Sequence, residues 1–352
     1  MGCPWLQGSN HRLLDQRSWV LKKSPSGERR TVDHIEAWKK GLGSRIPDPN
    51  AVPTAARLRQ LLEVSHAATR FYRRELFRDK KSWPRNYLER GGALAQLDTE
   101  SRWLVGYAPD SRSRLVDHLR ATGFDLTTIR NAGLGVLGAD GRLVDRFRDQ
   151  LMLPARDHRL QIVGFTGVRR SSGAVYYTTS PDTQIHRRSG SVIGIAEQLE
   201  LLAGEASPVL VDDPLDAFAI ENVSRLSGGR WAGIPLCGAL LSADQARILG
   251  ARAVADTVVV VVSENEAARQ RAIEILPDLA KAFRRVQAVD LPRAFSPATL
   301  RMRHDGLQRL HDELLLTRPL ADYRSRPRRR RTRERPAGDV PLEMERGPSP
   351  EL

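Results

Sequence analysis

Cysteine is nearly absent from this 352-residue chain, with Cys3 and Cys237 the only two. Two thiols so far apart make neither a disulfide framework nor a four-ligand zinc site. Residues 1–54 hold no Cys/His cluster from which a zinc ribbon could be built. Long apolar runs are missing as well. No segment approaches the roughly 20 residues that a membrane-spanning helix needs. The opening "MGCPWLQGSNHRLL" has no apolar stretch of signal-peptide length. Leu6 stands where a myristoylation motif requires Ser or Thr. These absences predict a protein of the reducing cytoplasm with no membrane partner. No internal repeat of solenoid length is visible.

Positive charge is plentiful. The chain has 56 basic and 42 acidic residues, a net charge of +14. Half of the excess is local, because Arg324 to Arg335, "RSRPRRRRTRER", carries eight arginines against one glutamate. Such a run is a solvated, disordered end that binds any polyanion weakly, or a nucleic-acid arm that gains affinity by counterion release. Both readings make nucleic acid a partner, and neither supplies chemistry.

Residues 1–54 are mixed and rich in Pro and Gly, which predicts a poorly ordered leader with one short helix near "TVDHIEAWKK". From Thr54 the pattern changes. Leu58, Leu61, Leu62, Ser65, Thr69, Tyr72 and Leu76 recur at helical spacing and mark one amphipathic face. The helix-like "RSRLVDHLRATG" and the strand-like "QLMLPARD", "LQIVGFTG" and "AVYYTTS" complete an α+β subdomain over 55–195. Over 205–295 short apolar runs alternate with helical patterns: "PVLVDD", "RWAGIPL", "TVVVVV" and "RVQAVDLP" are separated by "PLDAFAIENVSRL", "SADQARILGARA" and "ENEAARQRAIEIL". Apolar strands alternating with helices predict an α/β domain, a parallel sheet with helices on both faces. A single helix, "ATLRMRHDGLQRLHDELLL", is expected across 296–322, followed by a disordered basic tail over 323–352.

In such a sheet the active site lies beyond the carboxyl ends of the strands. Asp212 and Asp213 follow "VLV", with Asp216 a turn later; Glu264 and Glu266 follow "VVVVVS". Asp213 before Pro214 reads as an N-cap, with proline in the first helical position and Asp216 near the positive end of the helix dipole. If the second junction stays extended, Glu264 and Glu266 point the same way. Carboxylates gathered there repel unless a cation neutralises them or some are protonated. Oxygen-only donors without histidine suit Mg²⁺ or Mn²⁺ rather than zinc. The alternative is that these acids only cap helices.

Other polar residues have similar alternatives. Arg146, Arg148 and Arg156 flank a strand and are expected either to face nucleic acid or to pair with Asp145, Asp149 and Asp157. Arg187 and Arg188, beside His186, contact phosphate or form a solvated face. His66 reads as an edge-of-core residue, Trp83 and Trp103 as core or interface anchors, and Cys237 as a structural thiol.

"VLVDDPLDAFAI" followed some fifty residues later by "VVSENEAARQRA" resembles the paired TOPRIM motifs, a Glu-Gly-x-x-Asp turn and an Asp-x-Asp-x-Ala-Gly turn. Upstream, "YLERGG", "VGYAPDS", "DRFRDQLMLPARD", "IVGFTG", "TTSPDTQIHRRSG" and "GIAEQL" resemble the catalytic core of DnaG-type bacterial primases, in the same order. The likeness runs from about Ala55 to about Asp322.

That resemblance implies template-directed synthesis of short RNA primers on single-stranded DNA from ribonucleoside triphosphates, with a replicative helicase as a further partner. It implies Asp212 and Asp216 as catalytic residues, with Asp212, Asp216, Glu264 and Glu266 as the metal ligands. It places Arg146, Arg148, Arg169, Arg187 and Arg188 on the nucleic-acid surface. The chain departs from the family at several of these places. Asp212 stands for a glutamate, and Glu264 and Glu266 stand for aspartates. Ser296 stands for an acid before Pro297, Val168 for an arginine and Tyr176 for a lysine. Asp213 stands for a flexible glycine, where a side chain is expected to crowd a metal or nucleotide. A core without zinc ribbon or helicase-docking module points to a plasmid, phage or integrated-element protein. The rival expectations are a degenerate module that binds single strands without polymerising, and a TOPRIM nuclease.

Overall fold

The apolar stripe that begins at Thr54 forms a 24-residue helix, α1 (Ala55–Arg78), in a computed structural model that describes residues 12–13, 48–98, 100–171, 174–262, 266–291 and 295–324. The leader helix expected near residues 31–40, Glu264 and the tail beyond 324 lie outside the described residues. The Thr54 side chain caps α1 by accepting from the Arg57 amide, and Leu61, Val64, Ala68, Phe71, Tyr72 and Leu76 form its buried face.

Below α1 lies a six-stranded sheet. Its strands are β1 (Arg12–Leu13), β2 (Gly106–Ala108), β5 (Gln150–Arg156), β6 (Ile162–Ser171), β7 (Ala174–Thr179) and β8 (Val192–Ile193), in the order β1-β7-β6-β5-β2 with β8 also on β5. The pairs are antiparallel apart from β1 on β7. A small hairpin, β3 (Gly135–Leu137) with β4 (Leu143–Asp145), stands beside it. The remaining helices of this half are α2 (Trp83–Arg90), α3 (Arg114–Ala121) and α4 (Leu126–Asn131). The α3 N-terminus is capped from a distance: both oxygens of the buried Asp145 carboxylate accept backbone amides, from Leu115 and Val116, at 2.9 Å.

After a short helix, α5 (Leu199–Ala203), the alternating segment forms a five-stranded sheet. Its strands are β9 (Ser207–Val211), β10 (Trp231–Pro235), β11 (Thr257–Val262), β12 (Arg285–Asp290) and the two-residue β13 (Arg318–Pro319). Their order is β10-β9-β11-β12-β13, parallel throughout except for β13. Period-two alternation splits the strand residues between two cores. Val209, Val211, Val259 and Val289 pack with α6 (Pro214–Leu226), α10 (Pro297–Arg301) and α11 (Gly306–Leu315). Leu210, Ile234, Val258, Val260, Val262 and Ala288 pack with α7 (Ala243–Gly250), α8 (Glu266–Glu274) and α9 (Leu276–Ala282). Helices therefore cover both faces, as the apolar strands predict.

Three local expectations are corrected. The single helix after Pro297 is two, broken where Asp305 takes φ +54° and Gly306 passes so close to Leu300 that a Cβ would lie 1.9 Å from its carbonyl oxygen. The helical pattern after β11 continues into a second helix, α9, with Pro277 in its first turn. The sheet ends in an antiparallel edge strand, set by a long-range pairing that local pattern does not reveal.

The first of these cores does not stop at the second sheet. It joins Leu76, Trp103, Leu151, Val168 and Tyr177 to Val209, Phe218, Ile220 and Val259. The two sheets thus share one apolar joint. Trp103 is an anchor of it, 2% exposed, with its indole N–H donating to Glu221 at 2.6 Å.

Candidate active site at the carboxyl edge of the parallel sheet

The chain leaves β9 for β10 through α6 on one face, then crosses to β11 on the other side of β9 through α7 on the opposite face. The carboxyl ends of β9 and β11 therefore flank the point where strand order reverses, the usual ligand crevice of an open parallel sheet. Asp212 directly follows β9. Glu264 belongs to the junction after β11, outside the described residues, and Glu266 opens α8.

The described acids do not behave alike. Asp212 is 38% exposed and lies 3.6 Å from Arg271 of α8. Asp213 caps α6, its Oδ1 accepting the Leu215 amide at 2.8 Å. Its carboxylate turns into the joint between the sheets and accepts the hydroxyls of Tyr87 at 3.0 Å and Tyr177 at 2.9 Å. Burial, reinforced by this carboxylate, holds both phenols well above their ordinary range, so they stay protonated and donate. Asp216 is 6% exposed, and its Oδ1 accepts the Ala298 amide at the start of α10. Burial and the neighbouring Asp213 push it up to about 7. Glu266 does not extend the strand; as the first residue of a helix it is 86% exposed and pairs with Arg269 at 3.6 Å. The expected parallel aim of Glu264 and Glu266 therefore does not hold for Glu266, because the helix starts there.

Among the described residues no group of three His, Cys, Asp or Glu gathers closely enough to hold a metal. Carboxylate oxygen is the donor type of a hard divalent ion, but the described acids are not gathered into such a site: Asp212 lies at the crevice beside Arg271, and Glu266, on α8, faces solvent and pairs with Arg269. Asp216 is already committed to holding α10. Ser296, standing where an acid is expected, caps α10 by accepting the Thr299 amide.

Of the five arginines expected on a nucleic-acid surface, the structure brings together Arg146 and Arg188. Burial, then the Arg188 charge, lowers the pKa of Arg146, whose Nε has no hydrogen-bond partner. Arg146, Arg130, Asn131 and the 181–184 turn line a cavity of about 230 Å³. Arg130 had no signal in the sequence, since it ends a short helix among unremarkable neighbours. Arg148 is exposed. Arg169 is exposed while Val168 is buried, so moving the charge by one residue moves it to the other face of β6. Arg187 binds the backbone carbonyls of Thr183 and Pro49 and the Asn50 side chain, which ties the turn to residues 49–50. Arg156 pairs with the buried Glu197 at 3.1 Å rather than with Asp157. His186 is fully buried between the Pro181 carbonyl and the Ser191 hydroxyl, not on a solvated face. Cys237 is 3% exposed, as a structural thiol should be, and its amide donates to the Asp212 carbonyl.

Residues 71–198 match the family described as the N-terminal domain of the DNA primase catalytic core. The DNA primase of Geobacillus stearothermophilus is 29% identical over 269 residues, 75% of this chain and 42% of that protein. The DNA primase of Escherichia coli K12 is 25% identical over 266 residues, 75% of this chain and 44% of that one. The chain thus spans less than half the length of these curated relatives. The crystal structure of the RNA polymerase domain of Mycobacterium tuberculosis primase DnaG superposes with a TM-score of 0.62 at 24% identity, covering 75% of this chain and 85% of that one. A DnaG primase catalytic domain bound to single-stranded DNA superposes with a TM-score of 0.61 at 24% identity, covering 77% and 85%.

Proposed function

From the premise that this chain carries a DnaG-type primase catalytic core, we propose that it synthesises short RNA primers on single-stranded DNA. The observation that supports this reading is that Asp212 directly follows β9 and Glu266 opens the helix that follows the neighbouring β11, at the point where strand order reverses. In the reaction a 3′-hydroxyl attacks the α-phosphorus of a ribonucleoside triphosphate and pyrophosphate leaves. Asp212, Glu264 and Glu266 are the proposed holders of Mg²⁺ or Mn²⁺, which supplies Lewis-acid activation of the hydroxyl and charge neutralisation on the leaving group. Asp216 acts by position: through the Ala298 amide it fixes α10 against α6, and with them the base of the crevice. Residues 55–195 are the proposed template-gripping subdomain, with Arg146 and Arg188 on the strand-facing surface. Residues 205–295 are the proposed catalytic TOPRIM domain, and 296–322 its helical extension. A cytoplasmic site of action is proposed on the resemblance alone. A replicative helicase is the proposed protein partner, on the resemblance alone.

A second reading, a single-strand-binding module without polymerase activity, is favoured by one observation: Asp212 already has a guanidinium beside it. One assay separates the two. The full chain is incubated with single-stranded template, labelled ribonucleotides and Mn²⁺. Short RNA that disappears in Glu264→Gln/Glu266→Gln supports synthesis. Retained template binding without product supports the binding module, and cleaved template points to a nuclease.

A further inference from the structure

The turn between β7 and β8 is tied to itself and to its surroundings. Thr183 Oγ1 accepts the amides of Ile185 and His186, and the Thr183 amide donates to the His186 carbonyl. The buried His186 ring lies between the Pro181 carbonyl and the Ser191 hydroxyl. Against this turn stands the segment that leaves α4 for β3. Gly133 takes φ +74° there, and a Cβ on it would lie 3.1 Å from Pro181, so glycine lets the two segments close up. The cavity of about 230 Å³ lies between these two walls, well away in the sequence from the acids at the carboxyl edge. Its lining combines two chemistries. Val136, Leu137 and Pro181 are apolar, whereas Arg130, Asn131, Arg146 and Thr183 bring hydrogen-bond donors. The Thr183 oxygen already accepts twice and keeps its own proton to give. Arg146 Nε is buried without a partner, and so is the hydroxyl of the neighbouring Tyr72. The carboxylate in the lining, Asp182, is exposed and accepts the Arg188 amide. With Arg188 beside Arg146, three guanidiniums face that one carboxylate, an excess of two positive charges.

We propose that this cavity binds a phosphate monoester, the terminal phosphate of a nucleotide or of a strand's 5′ end, in preference to an internal phosphodiester. A terminal phosphate carries about −1.5 to −2 at neutral pH, close to the opposite of the local excess, whereas a diester carries a single charge. The planar donor forks of Arg130 and Arg146 are matched to phosphate oxygens, and a charged acceptor gives the buried Arg146 N–H the partner it lacks. Thr183 and Asn131 add neutral donors. The apolar side chains suit the sugar carbons of an ester, which inorganic phosphate does not have. Neither a metal ion nor nucleotidyl transfer is needed for such binding.

The test compares 5′-phosphorylated and 5′-hydroxyl single strands of one sequence, binding to the full chain in EDTA by fluorescence anisotropy. Ionic strength is fixed, because strand affinity falls steeply with salt. AMP and adenosine are compared in equilibrium dialysis, and circular dichroism is the folding control. In at least one of the two pairs the phosphorylated member is expected to bind about fivefold more tightly or better. Arg130→Gln and Arg146→Gln are expected to bring that ratio below about twofold, with Arg130→Lys recovering part of it. Val136→Asp, which adds a negative charge at a 40% exposed position of the lining, should remove the preference with every arginine in place. Arg309→Gln, an exposed position on α11, deletes the same charge elsewhere and should keep it. A preference in the strand pair alone assigns the site to a strand end, and one in the AMP pair alone to a free nucleotide; either supports the monoester. No preference in both pairs, or one that Arg309→Gln reduces as far as Arg130→Gln does, overturns the site. A chain that shows the preference and makes no RNA refutes primer synthesis and leaves this site standing.

Discussion

Replacing Asp213 by alanine should be among the most damaging single changes near the crevice, although Asp213 contacts no predicted substrate. Its buried carboxylate accepts the Leu215 amide and the Tyr87 and Tyr177 hydroxyls, at 2.8, 3.0 and 2.9 Å. Alanine removes the α6 cap, a loss of about 1 kcal/mol. It also takes the acceptor from two phenols, one of them 1% exposed, and each such desolvated group left short costs about 1–3 kcal/mol. The sum is about 3–5 kcal/mol, with the half-buried Tyr87 at the low end. Most of that penalty should vanish if the phenols are already gone. In a Tyr87→Phe/Tyr177→Phe background only the lost cap, about 1 kcal/mol, should remain, leaving a coupling of about 2–4 kcal/mol. Urea titrations followed by tryptophan fluorescence measure the four corners of this cycle, with Trp83 and Trp103 as reporters near the joint. For a slope of about 3 kcal/mol/M, Asp213→Ala alone should lower the midpoint by roughly 1–1.7 M. An equal shift in both backgrounds, or one below about 0.3 M in the first, would refute the clamp.

Two further perturbations test other parts of the fold. Asp145 is pushed up to about 6 because burial outweighs the two amides it accepts. Its proton is therefore held more tightly folded than unfolded, so its stabilising contribution is full below about pH 4 and is lost as pH rises through 6, up to about 2–3 kcal/mol; urea midpoints at pH 4.5 and 7 should show that slope, flattened in Asp145→Asn. Gly106→Ala puts a methyl 2.5 Å from the Tyr72 Cβ and 2.7 Å from its carbonyl carbon, so α1 must lift off β2 at a cost of about 2 kcal/mol or more, measurable in the same titration.

What the sequence revealed and what it hid divide along the range of the interactions. The valines of β11 and the "PVLV" run could be read as core strands because a strand buried on both faces has to be apolar throughout, whatever surrounds it. The α6 start was legible because Asp213 and Pro214 act within one turn, and both are where their local chemistry put them. Glu266 was misread by one step of the same logic: the helix begins at that residue, and the signal was available, because Asn265, a preferred N-cap type, stands directly before it. The partners of the acids were out of reach altogether. Arg271 meets Asp212 across some sixty residues, Ala298 meets Asp216 across 82, and Tyr87 meets Asp213 across 126. Such pairings are set by how two sheets dock, which no local period encodes.

Asp213 shows how a substitution that looks hostile to a metal site can leave the crevice open. A glycine is demanded only by a positive φ or a close backbone approach. Here φ is −111° and ψ 144°, an extended conformation open to any residue. Extended backbone also sends consecutive side chains to opposite sides. Asp212 accordingly faces the crevice and Arg271, while Asp213 points away from it, into the joint, where two buried phenols need an acceptor. The expected crowding does not occur, because the added carboxylate occupies the far side of the strand end. The same alternation binds the two roles together. Any change that tilts the β9–α6 junction to free Asp213 from its tyrosines must swing Asp212 as well. Variants that loosen the clamp, such as Tyr177→Phe, should therefore weaken Mn²⁺ binding at Asp212 by severalfold while leaving single-strand binding at Arg146 and Arg188 within twofold. Equal loss of both would show that the clamp serves only to hold the protein together.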